Sequence, residues 1–190
     1  GNDNVVVDSN DEIDVNDTIA FGSGADTITT TAVAGTANGV SLDLDFITGL
    51  ETIVLGGTTG ADASTIQFAA VTATTSQTIT IDGSSATGAT DNIIVTNASA
   101  RATTQFDITT GAGTDSIQGG SGADTIATNG NNDTVVANQG NDSVNTGLGN
   151  DSIVAGLGND TIDAGAGNDS VTSGNGSEEL TLGIGTDIFT

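Results

Sequence analysis

The chain has 190 residues and a formal charge of −24, because 25 acidic side chains are set against a single basic one, Arg101. This charge argues against nucleic acid and anionic membranes as direct partners, since nothing in the chain could neutralise phosphates, and it favours cations as ligands. The chain also lacks Cys, His and Lys, which removes zinc sites built on Cys or His, disulfides, Ser-His or Cys-His catalysis and Schiff-base chemistry.

Hydrophobic burial alone gives this chain little stability. Leu, Ile, Val and Phe account for 44 residues, or 23% of the chain, close to the roughly 20% below which highly charged chains tend to stay disordered. The sequence shows neither a transmembrane stretch nor a signal peptide. Because Gly1 stands inside a repeat, we expect the chain to be a segment of a longer polypeptide.

Residues 1–39 contain partial and irregular nine-residue repeats. An acidic residue stands two positions before an apolar one in Gly1-Asn2-Asp3-Asn4-Val5, in Asp17-Thr18-Ile19 and in Asp26-Thr27-Ile28. We predict Asp17 and Asp26 as candidate cation ligands. The alternative, that both only form turns, stays open for these two residues.

Residues 40–109 follow a longer period. Pairs of apolar residues two positions apart recur every 13 residues, once after 14, and each pair predicts a short strand with alternating faces. The pairs are Val40/Leu42, Ile53/Leu55, Ile66/Phe68, Ile79/Ile81, Ile93/Val95 and Phe106/Ile108. We therefore predict a Thr- and Ala-rich β-solenoid region. Its carboxylates are expected to be solvated or turn-forming; they are Asp43, Asp45, Glu51, Asp62, Asp82, Asp91 and Asp107.

Residues 110–190 form nine consecutive nonapeptides. An acidic residue recurs every nine positions, a glycine precedes it by two, except at Asn131, and an apolar residue follows it by two. A nine-residue unit is too short for an ordinary helix, so a glycine turn and a very short strand must alternate. One apolar residue per unit cannot form a core by itself, so the units must stack as an all-β parallel solenoid.

Stacking makes the acidic column a cation site. Carboxylates in adjacent levels about 4.8 Å apart would repel each other by roughly 3.5 kcal/mol at an effective dielectric near 20. A divalent cation between the levels reverses this sign. Calcium accepts carboxylates together with the backbone carbonyls that glycine turns expose, whereas magnesium keeps its waters and demands stricter geometry.

Units such as Gly119-Gly120-Ser121-Gly122-Ala123-Asp124-Thr125-Ile126 resemble the calcium-binding nonapeptide of RTX (repeats-in-toxin) proteins, G-G-x-G-x-D-x-U-x. The resemblance covers 110–190 and implies a parallel β-roll with 18 residues per turn, in which loops two units apart share a calcium ion. By that resemblance the carbonyls of Gly147 and Gly149 with Asp151 would face those of Ala164 and Ala166 with Asp169. Nine units give up to about seven such sites.

The predicted calcium ligands are Asp115, Asp124, Asp133, Asp142, Asp151, Asp160, Asp169 and Asp187, the turn glycines Gly111, Gly113, Gly120, Gly122, Gly140, Gly147, Gly149, Gly156, Gly158, Gly165 and Gly167, and, upstream, Asp17 and Asp26. Three departures put individual sites in doubt. Asn129-Gly130-Asn131 is expected to disturb the turn before Asp133, Asn138 replaces a glycine, and Glu178 is one methylene longer than the Asp that the site requires.

A second resemblance concerns function. The segment Thr48-Gly49-Leu50-Glu51-Thr52-Ile53-Val54-Leu55, followed by Ala/Thr/Ser-rich strands and a repeat array, is similar to surface-layer and adhesin-type RTX proteins that Gram-negative bacteria export by type I secretion. It implies a secreted, extracellular or cell-surface structural protein whose partners are copies of itself in a lattice, sheet or filament. Cell-surface polysaccharide could bind through regions outside this segment, and no membrane insertion is expected.

Two other function classes stay open. One is an accessory repeat module that helps a larger secreted enzyme, toxin or adhesin to fold and be exported. The other is an enzyme that uses paired carboxylates, as glycosidases do, or calcium, as polysaccharide lyases do. A solenoid offers many carboxylate pairs, so that signal is weak, and Arg101 is the single cation available to a lyase. We therefore expect no enzymatic activity.

Overall fold

The structure is a computed structural model. It describes residues 1–8, 25–31, 41–43, 52–55, 63–67, 77–85, 92–96 and 104–190. The strands are β1 (Asn4–Asp8), β2 (Thr27–Thr31), β3 (Ser41–Asp43), β4 (Thr52–Leu55), β5 (Ala63–Gln67), β6 (Gln77–Asp82), β7 (Asn92–Thr96), β8 (Thr104–Thr109), β9 (Ser116–Gln118), β10 (Thr125–Ala127), β11 (Thr134–Gln139), β12 (Ser143–Asn145), β13 (Ser152–Leu157), β14 (Thr161–Asp163), β15 (Ser170–Asn175), β16 (Glu179–Thr181) and β17 (Ile188–Phe189). Within these residues, no helix has the length and apolar character needed to cross a membrane.

The strands form two parallel sheets. One contains nine strands in the order β1-β2-β4-β6-β8-β10-β12-β14-β16, and the other contains eight in the order β17-β15-β13-β11-β9-β7-β5-β3. From β2 onward, consecutive strands alternate between the sheets, so each coil of the chain adds one strand to each sheet. The predicted all-β parallel solenoid is confirmed.

The strand register gives the length of each coil. In the repeat array, paired residues are 18 positions apart, as in Thr125 with Ser143 and Ser152 with Ser170. Upstream the coil is longer and less uniform, since Ser41 pairs with Thr65 and Thr52 with Thr80, which are 24 and 28 positions apart. Two 13-residue periods thus make one coil, because successive strands enter opposite sheets.

The longer-period region (40–109) and the repeat array (110–190) share a sheet. β8 pairs with β6 on one side and with β10 on the other, so the nine-stranded sheet continues across residue 109. The proposed division of the chain into 1–39, 40–109 and 110–190 stays a prediction based on sequence period.

The core lies between the sheets and is built from one apolar column on each. Ile117, Val135, Ile153 and Val171 line one sheet, Ile108, Ile126, Val144 and Ile162 line the other, and each is at most 2% exposed. Neighbouring strand positions alternate between buried and exposed, as in β13. Burying each of these side chains contributes about 1.5–3 kcal/mol. Ala137, Ala155 and Ala164 are fully buried in the same core.

This packing predicts a large difference between two adjacent residues. Ile153→Ala removes three methyl or methylene groups from a side chain that is 1% exposed, and we expect it to lower the free energy of unfolding by about 2–4 kcal/mol. Val154→Ala, at a side chain that is 38% exposed, should cost less than about 1 kcal/mol. Urea unfolding in saturating calcium, followed by circular dichroism, measures both. Equal losses would contradict the inward position of Ile153.

Candidate calcium sites

The acidic residues of the array form two columns, one along each edge of the roll. Each acid directly precedes a strand, so the strand register fixes its position. One column contains Asp115, Asp133, Asp151, Asp169 and Asp187, and the other contains Asp124, Asp142, Asp160 and Glu178. The aspartates from Asp115 to Asp169 are at most 2% exposed, whereas Asp187 and Glu178 are half-buried. The structure thus brings the predicted carboxylates into register at both edges.

One oxygen of each carboxylate in the column interior is held by the preceding level. Asp151 Oδ1 accepts the backbone N–H of Asp133 at 2.8 Å, and Asp160 Oδ1 accepts that of Asp142 at 2.9 Å. The same bond joins Asp133 to Asp115 N, Asp142 to Asp124 N, Asp169 to Asp151 N and Asp187 to Asp169 N. Each bond spans 18 residues, so the carboxylates are oriented by the stacking itself.

The second oxygen of each interior carboxylate is placed where a metal ion could bind it. Six such oxygens are buried and accept no hydrogen bond; they are Oδ2 of Asp133, Asp142, Asp151, Asp160 and Asp169, and Oε1 of Glu178. A buried, ionised oxygen without a partner is costly unless a cation or a proton compensates it. The donor set therefore fits calcium, which would neutralise these oxygens.

Burial also changes the acidity of the carboxyls. Burial raises the pKa of Asp133 and of Asp142 to about 7, although each accepts a backbone N–H that favours the charged form. Carboxylates in the neighbouring levels raise the pKa of both groups further, and burial likewise raises the pKa of Asp151. The columns thus resist ionisation unless positive charge is supplied.

Backbone carbonyls complete the predicted ligand set. Gly147 O accepts the N–H of Ala166 at 2.8 Å, and Ala166 O accepts that of Gly149 at 2.9 Å, so both carbonyls lie between the same two levels. Ala164 O is directed at the same gap, because it accepts the hydroxyl of Thr146 at 3.0 Å. These three carbonyls and the carboxylates of Asp151 and Asp169 belong to the ligand set that the family resemblance implied for one shared ion, which also includes Gly149 O.

The turn glycines are required by conformation and by space. Gly149 and Gly158 both have φ of 145°, and a Cβ there would lie 1.8 Å from Asn131 O and 1.5 Å from Gly140 O. Positive φ also occurs at the other predicted turn glycines from residue 140 onward, which are Gly140, Gly147, Gly156, Gly165 and Gly167. Any side chain would push apart the levels between which the ion binds.

Two of the three asparagines that depart from the repeat keep the backbone conformation of the turn, and the third, Asn131, changes it. Asn129 and Asn138 have φ of 67° and 79°, in the same left-handed region as the glycines one coil later. Asn131 has φ of 71°, whereas Gly149 and Gly167 at equivalent positions have 145° and 154°. Asn reaches this conformation more readily than most residues. The turn before Asp133 is therefore altered at Asn131, and all three asparagines also act on the groups around them.

The upstream repeats reproduce part of the same geometry. Asp26 is buried, its Oδ1 accepts the N–H of Asp3 at 2.8 Å, and Thr27 N donates to Asp3 O at 2.9 Å. Asp3 therefore belongs to the column beneath Asp26. Asp3 was not among the predicted site residues, although Gly1 two positions before it and Val5 two positions after it fit the repeat pattern. Asp17 and Arg101 lie outside the described residues.

The carboxylates of the longer-period region that the structure describes have other roles. Asp82 Oδ1 accepts the backbone N–H and the hydroxyl of Ser84, at 3.1 and 2.6 Å, and so forms a local turn. Asp107 is exposed on β8. Across the described residues, no group of three or more acidic side chains could hold a metal ion without other ligands. A calcium site in this chain therefore depends on paired aspartates and backbone carbonyls.

Comparison with known families agrees with this geometry. The model of the RTX calcium-binding nonapeptide repeat matches the chain in four copies, at residues 16–28, 109–144, 145–177 and 155–189. These residues therefore belong to the RTX repeat family, whose nonapeptides bind calcium. The predicted resemblance to this family and the predicted binding of calcium are both confirmed. No curated protein and no solved structure is significantly similar to the chain.

Proposed function

We propose that this chain is a calcium-stiffened structural segment of an extracellular protein whose copies assemble on the bacterial surface. Calcium-binding RTX repeats are typical of secreted proteins. The structural role is an additional proposal that the repeats alone do not imply. The observation that supports it is the pair of aspartate columns, whose buried second oxygens repeat at every level from Asp133 to Asp169. Bound calcium would cross-link neighbouring levels along both edges and so stiffen the rod. A row of repeated sites fits this structural role better than the binding of a single ligand.

Exposed apolar side chains support assembly between copies. At one edge, Gly130, Leu148, Ala166 and Ile184 form a continuous ladder of parallel bridges. Leu148 is 65% and Ile184 80% exposed. We call Leu148, Ala166 and Ile184 the apolar ridge. At the opposite edge the corresponding ladder is Gln139, Leu157 and Asn175, in which a single leucine has polar neighbours. Aligned apolar side chains on a charged surface are typical of contact surfaces.

Charge makes the assembly depend on calcium. A chain of −24 repels its copies. Each bound calcium ion cancels two negative charges, and the ions of the column that contains Asp151 and Asp169 lie at the same edge as the ridge. Calcium also fixes the turns that carry Leu148 and Ile184. We therefore propose no catalytic role for the segment: its carboxylates serve to bind cations, and the ridge serves to bind a second copy.

The test compares the two edges. Leu148→Ser with Ile184→Ser is expected to abolish assembly in 1 mM calcium, whereas Leu157→Ser, on the opposite edge, should leave it intact. Static light scattering and electron microscopy would follow the three proteins in calcium, in chelator and in chelator with sodium chloride at higher ionic strength. Monomeric rods of the parent protein in calcium would favour the accessory folding and secretion module instead. Assembly restored by sodium chloride alone would show that screening controls association.

A further inference from the structure

The first level of the repeat array, 110–115 and 119–124, differs from every later level. The second level is 128–133 and 137–142. We propose that no calcium ion binds between these two levels, and that the side-chain amides of Asn129, Asn131 and Asn138 join them in its place. Calcium binding would then begin at the pairs Asp133 with Asp151 and Asp142 with Asp160.

The amides lie between the first and second levels. Asn129 Nδ2 donates to Thr110 O at 2.5 Å, and Asn131 Nδ2 donates to Ala112 O. At the opposite edge, Asn138 Nδ2 donates to Gly119 O at 2.7 Å. Each asparagine reaches back 19 residues to a carbonyl of the first level. An amide N–H supplies partial positive charge between the two levels, as a cation would, but its nitrogen cannot be a calcium ligand.

The carboxylates of the first level already have protein donors. Asp115 Oδ2 accepts the hydroxyl of Thr110 at 2.5 Å. Asp124 accepts two backbone N–H groups, that of Phe106 on Oδ1 at 2.8 Å and that of Gly120 on Oδ2 at 2.6 Å. The corresponding Oδ2 atoms of Asp133, Asp142, Asp151, Asp160 and Asp169 are buried without a hydrogen bond, although the burial that raises the pKa of Asp133 and Asp151 is partly offset by the hydroxyls of Thr128 and Thr146. The need for a cation therefore starts one level later than the sequence repeat does.

The backbone of the first level also differs. The positive φ values of the described chain run from Asn129 to Gly185 and include neither Gly120 nor Gly122. A Cβ on Gly120 would lie 3.0 Å from the Phe106 ring, and one on Gly122 would lie 2.5 Å from Thr104 O. The loop 119–124 thus packs against β8, the last strand of the longer-period region, and its glycines are required by that contact.

Two consequences follow for this chain. Of the seven aspartate pairs predicted from the repeat, the pairs Asp115 with Asp133 and Asp124 with Asp142 are removed, which leaves up to five calcium sites. The first two levels also stay joined without calcium. They would provide a preformed edge on which the calcium-dependent levels can stack as the ion becomes available.

Ion counting tests the first consequence. Asp115→Asn and Asp124→Asn keep the shape of the side chain and one of its two oxygens, and the full chain carrying either change should bind as many calcium ions as the parent protein. Asp151→Asn, the matched control, removes a ligand from two sites and should lower the count by up to two. Equilibrium dialysis with radioactive calcium measures the number bound. A loss of an ion in Asp115→Asn or Asp124→Asn would overturn the proposal.

Hydrogen exchange of the full chain tests the second consequence. In calcium-free buffer, amides of 104–127 should exchange at least tenfold more slowly than those of 143–180. The combined variant Asn129→Gly, Asn131→Gly and Asn138→Gly removes the amides but suits the positive φ, and it should lose that protection without calcium. Equal, rapid exchange of both segments in the parent protein, or undiminished protection in the variant, would each overturn the assignment of the asparagines as the joint.

Discussion

Removing calcium is expected to unfold the array from residue 143 onward. A site with a Kd of about 10⁻⁴ M in about 10⁻³ M calcium contributes roughly 1.4 kcal/mol to folding. Five such sites give about 7 kcal/mol, which is comparable with the whole stability of a small domain. Since 23% of the chain is Leu, Ile, Val or Phe, the apolar columns do not offset this loss.

Far-UV circular dichroism of the full chain in calcium and in chelator measures the loss. The β signal of 143–190 should disappear in chelator and return when calcium is restored. The matched control is magnesium at the same concentration, which should restore much less of the signal, because Mg²⁺ dehydrates reluctantly and needs strict octahedral geometry. An unchanged β spectrum in chelator would show that the sheets are stable without the ion.

The effect of pH is expected to reverse sign when calcium is removed. Without calcium, burial raises the pKa of Asp133 and Asp142 in the folded protein to about 7, and that of Asp124 to about 6. The folded state then binds protons more tightly than the unfolded chain, whose aspartates have a pKa near 3.9. These groups therefore favour folding at low pH, and that contribution is lost as the pH rises from about 4 to 7. Together they amount to several kcal/mol.

With calcium bound, acid should have the opposite effect, because protons compete with the ion for the same oxygens. Lowering the pH from 7.5 to 5 should thus increase the β signal of protein dialysed free of calcium and decrease the melting temperature of protein in 1 mM calcium. Circular dichroism suits both measurements, since the chain has no Trp or Tyr. Asp142→Asn removes one titrating group, so the calcium-free protein should respond less to acid. The same sign of response in both solutions would contradict the buried carboxyl columns.

The repetitive part of the fold was predictable from sequence because its signal is local. An acid two positions before an apolar residue locates each strand of the array, and Ile126 and Val144, for example, occupy the core as that spacing predicts. The intervals of the longer-period region likewise located strands such as β4 and β6. What the intervals did not give was the coil length, which depends on which sheet each strand enters.

The exceptions were not predictable because they depend on contacts across levels. Nothing near Asp115 in the sequence indicates that the hydroxyl of Thr110 satisfies its second oxygen. The role of Asn138 likewise becomes visible only when Gly119 O lies opposite its amide. A nonapeptide pattern treats these units as equivalent, whereas their chemistry is set by neighbours 18 or 19 residues away.

The uniform 18-residue register of the array also determines how such a protein can change in length. Each level contacts only the levels directly above and below it, as the pairing of β11 with β9 and β13 shows. Duplicating or deleting 18 interior residues would keep every remaining strand in its sheet and every acid at its edge. A change of nine would transfer all later strands to the opposite sheet. Duplication or deletion of one coil can therefore lengthen or shorten the rod in steps of about 4.8 Å, and no new type of contact between levels is needed.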